Sequence, residues 1–183
     1  MTEDHREIAN LTKDEIIARI QADPGFQADQ AERAARQNDF HAYLTRSEAP
    51  IVLDLQAAGL LVNSVWHNQT TPENAQLVTD IYLRHLEKGG YPDRVRAGMA
   101  HVLATTHASK AASKYWTRIK ALYAAERDPE TIDALTSTLA SIASRQTVGE
   151  LIDLTLDPAR RASALLFLKS ILRLGGEGGL GFI

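Results

Sequence analysis

Three prolines each head a run in which apolar residues return every three or four positions. Tyr91-Pro92-Asp93 leads Val95, Met99, Val102 and Leu103. Asp128-Pro129-Glu130 leads Ile132, Leu135, Leu139 and Ile142, and Asp157-Pro158-Ala159 leads Leu165, Leu168 and Leu172. Proline has no amide hydrogen to donate, so it sits well where a helix begins and its first donors are unpaired anyway. The three-four recurrence is the period of one helical face. No window shows the strict alternation of a half-buried strand. These features predict an all-α chain.

The remaining segments read the same way. Thr12 and Glu15 have the spacing of a capping box, with Leu11 and Ile16 at the staple positions around it. The helix they open carries Ile16, Ile17 and Ile20 and ends at Asp23-Pro24-Gly25. A second helix is expected from about Asp29 to Arg46, with Phe40, Tyr43 and Leu44 as its buried end. A third is expected to have Pro50 early in it and Ile51, Leu53, Leu55, Leu60 and Leu61 as apolar residues. Residues 62–71 read as a connection. Pro72 opens a helix bearing Val78, Ile81, Tyr82, His85 and Leu86, closed by Gly89-Gly90, the residue type that best tolerates the positive φ of a helix end. Residues 111–125 form another, with Trp116, Ile119 and Tyr123 as core, and a short helix carries Val148, Leu151 and Ile152.

Composition removes several classes of function. The 183 residues are 44% hydrophobic and 23% charged, as in an ordinary globular domain, and contain no cysteine. Disulfide frameworks, thiolate nucleophiles and zinc-thiolate sites are thereby excluded. No apolar run approaches the roughly 20 residues of a membrane span, and the polar start lacks a signal-peptide core. The expected location is the cytoplasm.

The proline-led helices are 37 and 29 residues apart, and each follows a shorter amphipathic helix. Helix pairs at such a period are the signature of an α-solenoid, in which a pair buries its face by stacking on its neighbours. Tyr91-Pro92-Asp93-Arg94-Val95-Arg96-Ala97-Gly98 resembles the start of the second helix of a HEAT repeat. Asp128-Pro129-Glu130-Thr131-Ile132 keeps the proline and the β-branched residue, and Asp157-Pro158-Ala159-Arg160 keeps the proline with a shifted arginine. The resemblance covers residues 72–174. It implies stacked antiparallel helix pairs and scaffold, adaptor or inhibitor work without catalysis. The expected organisation is a single domain, with an N-terminal helical cap at 1–48, repeats at 49–174 and a glycine-rich tail at 175–183. Either that tail folds back over the apolar last helix, or the helix meets another molecule, a second copy of the chain included.

The net charge of −3 is unevenly spread, because residues 84–127 hold nine bases against three acids. Lys110, Lys114 and Arg118 recur at four-residue spacing as one basic stripe, with Arg94 and Arg96 on the neighbouring helix. These five are the candidate partner-binding residues. Either the charge blocks pair with each other, or the stripe receives an acidic protein surface or phosphates. An overall pI of 6.1 disfavours a dedicated nucleic-acid binder. A HEAT-like DNA glycosylase relative, with Trp116 and Asp93 at the centre of a basic face, is the alternative. Reversal of Arg94 and Arg96 is expected to leave folding intact.

Catalytic signals are missing. Gly176-Glu177-Gly178-Gly179-Leu180-Gly181 matches a dinucleotide-loop pattern but lies outside any strand–loop–helix context. No histidine pair has metal-ligand spacing, and no nucleophile motif occurs. No metal, cofactor or catalytic residue is expected, and His85 reads as a partly buried, hydrogen-bonded core histidine.

Overall fold

The structure, a computed structural model, describes residues 12–67 and 70–175. It is helical throughout, with no strand among the described residues. No helix among them is long and apolar enough to cross a membrane. The chain divides into two compact units, Met1–Tyr43 and Leu44–Ile183.

The first unit contains α1 (Lys13–Ala22) and the opening turns of α2 (Pro24–Ala57). The capping box of α1 forms as its sequence predicts, with Glu15 Oε2 accepting the Thr12 amide at 2.8 Å and the Thr12 hydroxyl accepting the Glu15 amide. The staple residue Leu11 lies outside the described residues. Asp23 ends α1 and also opens α2, because its Oδ1 accepts the Phe26 amide at 2.9 Å.

Helix α2 corrects two expectations. The helices foreseen at 29–46 and around Pro50 are one helix of 34 residues with Pro50 inside it. Proline there removes a single backbone hydrogen bond. Burial of Glu48, Ile51 and Leu55 on the face around it holds the helix across the gap. Phe40 is not buried but 51% exposed, and Leu53 and Leu61 are exposed as well.

The second unit continues with α3 (Ala75–Lys88), α4 (Asp93–Leu103), α5 (Thr106–Ala112), a 3₁₀ turn (Ser113–Tyr115), α6 (Trp116–Ala125), α7 (Pro129–Ile142), α8 (Val148–Leu156), a 3₁₀ segment (Pro158–Ser163) and α9 (Ala164–Gly175). Its core joins Ile51 and Leu55 to Leu83, Met99, Leu103, Ile119, Tyr123, Leu135, Leu139, Leu151 and Phe167. Helix α4 packs chiefly on α7, α7 also carries α9, and α8 lies against α9. Buried hydroxyls join these helices. Thr138 Oγ1 donates to the Ala100 carbonyl at 2.7 Å, and Ser170 Oγ donates to the Ala140 carbonyl at 2.8 Å. Side-chain bonds between helices of this unit cross comparable lengths of sequence, from 29 residues (Thr79 to Ala108) to 39 (Gln76 to Tyr115).

Three local expectations change. Helix α5 is not visible in the hydrophobic pattern because Ala108 and Ala112 are what it buries, and alanine gives no amphipathic signal. The 111–125 helix is interrupted by the 3₁₀ turn, where the Ser113 hydroxyl donates back to the Lys110 carbonyl at 2.8 Å. Pro158 opens the 3₁₀ segment rather than the last α-helix. There Arg160 leaves helical geometry (φ −124°, ψ 22°), donates to the Glu126 and Ala124 carbonyls and lies over the Tyr123 ring.

Candidate functional site

The five basic residues chosen from the sequence fall on four elements. Arg94 and Arg96 lie on α4, Lys110 on α5, Lys114 in the 3₁₀ turn and Arg118 on α6. The expectation of a single helical stripe is therefore corrected, since the turn breaks the four-residue register between Lys110 and Arg118. Lys114 and Arg118 are nevertheless brought together by Tyr115, with Nζ of one and Cζ of the other each 4.9 Å from the ring centre.

Around Tyr115 the charges are matched. Arg118 donates through Nε and Nη2 to both oxygens of Glu87 at 2.6 Å, a fork that holds both side chains in one plane. The hydrogen bond from Arg118 keeps the Glu87 carboxyl below its usual range, and the same bond pushes the Arg118 guanidinium up. The Tyr115 hydroxyl donates to Asp80, whose other donor is the Gln76 amide at 2.8 Å. Burial raises the Asp80 carboxyl, but the bonds from Tyr115 and Gln76, with Lys114 and Arg118 nearby, outweigh it and hold the group low.

Arg94 and Arg96 are matched too. Arg94 pairs with Glu130 on α7 and stacks over Trp66, its Cζ 4.9 Å from the ring centre. Trp66 reaches that place because α4 carries Gly98 beneath it. A Cβ there would come within 2.8 Å of Trp66 Cε2. Arg96 pairs with Asp93 at 2.6 Å and with Glu126 at 3.0 Å. Glu126 is only 8% exposed and also accepts the amides of Arg127 and Asp128. Among the described residues Lys110 and Lys114 make no ion pair. Lys110 lines a cleft of about 360 Å³ with Pro72, Ala75, Gln76, His107 and Ala111.

Sequence reasoning named the cations but missed their partners. Glu87, Glu126 and Glu130 each stand 30 to 36 residues from the arginine they hold. Spacing within one helix carries no signal of such pairs. Trp116 is buried, as expected of a core aromatic, and its indole donates to Glu150 at 3.1 Å. His85 is buried with both ring nitrogens engaged, Nε2 on Asp54 at 2.9 Å and Nδ1 on the Tyr91 hydroxyl at 2.6 Å. Among the described residues no group of three or more histidine, aspartate or glutamate side chains is arranged to hold a metal ion. No known protein family, curated protein or solved structure matches this chain.

Proposed function

We propose that this chain is a non-catalytic protein-binding module, a short HEAT-like solenoid whose stacked helix pairs present side chains to one partner. The observation that supports the reading is a buried hydroxyl-to-carbonyl bond that occurs at two helix contacts. Helix α4 supports α7 through Thr138 on the Ala100 carbonyl, and α7 supports α9 through Ser170 on the Ala140 carbonyl. Stacking of this kind leaves long rows of helix surface free for recognition. The partner is a protein with an acidic surface, met by Lys110 and Lys114 together with the outward parts of Arg94, Arg96 and Arg118. Nucleic-acid binding of the glycosylase kind has no comparable support. The aromatic it requires at the centre of a basic face, Trp116, is buried, and Asp93 is held by Arg96.

Affinity capture from lysate of the source cells, with and without nuclease, tests the reading. The expected result is one stoichiometric protein that survives nuclease and is lost when Lys110→Glu and Lys114→Glu are combined. These substitutions remove no ion pair and should leave the helical circular dichroism unchanged. Recovery of nucleic acid alone, or retention of the partner by the double variant, overturns it.

A further inference from the structure

Most of the mid-chain cations already face carboxylates. Helix α9 has no acidic residue. It buries Phe167, Ser170 and Ile171 against the rest of its unit. The opposite side of the same helix is apolar as well. Leu165 is 72% exposed, Leu172 is 46% exposed, and Leu168 between them is half-buried. These three stand at i, i+3 and i+7, the spacing of anchors in a two-helix seam. Lys169 follows Leu168 and Arg173 follows Leu172, so the two cations line one flank of the seam. Among the described residues neither makes an ion pair, and Arg173 donates only to the Ala140 carbonyl, at 3.3 Å. Arg84, Arg94, Arg96, Arg118 and Lys120, by contrast, all face carboxylates.

We infer that the outer seam of α9 docks an acidic amphipathic helix of another protein, its apolar stripe on Leu165, Leu168 and Leu172 and its flanking carboxylates on Lys169 and Arg173. The charge selects this occupant. Two copies of α9 laid together would set cation against cation with no acid on either helix, whereas a helix edged with glutamate meets both the leucines and the charge. The inference goes beyond the protein-binding reading above: it places a second docking surface on α9, apart from Lys110 and Lys114. It is tested with a synthetic probe, so its failure leaves the capture experiment standing, and failure of the capture experiment is read separately.

The probe is a three-heptad peptide of the repeat Glu-Ile-Ala-Ala-Leu-Glu-Glu, labelled with a fluorophore and titrated with the full chain at low salt. Its control carries lysine in place of every glutamate. The acidic peptide is expected to bind, with the basic one weaker by about tenfold or more, since tenfold corresponds to the strength of only a few charge contacts. Leu165→Asp with Leu172→Asp should abolish binding while helicity stays unchanged, because Leu165 is largely in water and Leu172 is about half exposed. Lys169→Glu should weaken the acidic peptide and strengthen the basic one. Equal binding of the two peptides, or binding of neither, overturns the proposal. So does a wild-type dimer that Leu165→Asp disperses, which would give the seam to a second copy. Tighter peptide binding on Phe182→Asp would also overturn it, by giving the seam to the chain's own C-terminal segment.

Discussion

Arg96 shows how far a residue's role depends on what lies opposite it. From the sequence it is one cation in a basic block, and its reversal looked harmless to folding. In the structure it faces Glu126, which is buried and whose other donors are two backbone amides. Removing the partner of a buried charge is costly because the charge left behind is neither solvated nor paired. Arg96→Glu is therefore expected to destabilise the fold by about 3 kcal/mol or more. Arg94→Glu, at an exposed pair, should cost less than about 1 kcal/mol. Urea denaturation of the two single variants measures both, and equal midpoints would remove Arg96 from the core network. Two other carboxylates set the response to acid. Asp54, held low first by its hydrogen bond from His85, and Glu87, held low by Arg118, have folded-state values depressed below the unfolded ones. A depressed carboxyl contributes stability that is complete above its unfolded value, about 4, and is lost as pH falls through the folded one. The melting temperature should thus hold from neutrality down to about pH 5 and then fall, and Glu87→Gln should flatten that fall. A variant with the wild-type slope below pH 4 would show that the Glu87 fork adds nothing to stability.

At the scale of elements, proline announced helices without fixing their geometry. Pro129 is the first residue of α7, Pro92 stands just before α4, Pro158 opens a 3₁₀ segment, and Pro50 lies within α2. One physical fact underlies all four, the missing amide hydrogen, and tertiary packing decides which use is made of it. Pro50→Ala is accordingly expected to stabilise the chain. It restores the bond to the Arg46 carbonyl, against a smaller loss from the freer unfolded chain, for a net gain of about 1–2 kcal/mol. A lower melting temperature would show that α2 needs its proline. Elements whose buried face is leucine, isoleucine or valine, such as α3, α4 and α7, were legible from periodicity. Helix α5, which buries alanine, was not. The candidate site was legible to the same degree. The cations could be read off, and so could the pairing of charge blocks with each other as one of the two readings; the particular partners could not, because Glu87, Glu126 and Glu130 reach the arginines only through packing of helices distant in sequence. The seam on α9 was half visible. Its leucines stood out in the pattern, but only the packing of Phe167 and Ile171 shows which side is turned inward and which is left outside.

At the scale of the whole molecule, the second unit poses a question of cooperativity. If helix pairs stack as proposed, each joint stabilises its neighbours and little beyond them, and among the described helices the last pair, α8 and α9, packs on α7 chiefly through α9. Amide hydrogen exchange should then show graded protection, highest in α4 and α7 and lower across α8 and α9, because partial opening of the last pair needs less free energy than unfolding the unit. Two hydroxyl deletions separate the cases. Ser170→Ala removes the bond to the Ala140 carbonyl and should lower protection within residues 148–175 alone. Thr138→Val removes the equivalent bond to the Ala100 carbonyl and should lower it chiefly in α4, α7 and the helices packed on them. Each is expected to cost about 1 kcal/mol, the usual net contribution of one such bond, so the sites affected rather than the size of the effect carry the distinction. If both variants lower protection uniformly from α3 to α9, the unit unfolds as one body and its helices form a single bundle. If Ser170→Ala acts on the last pair alone, a helix docked on the outer seam of α9 would stabilise that pair. Binding would then be read as increased protection of α8 and α9, with α4 unchanged.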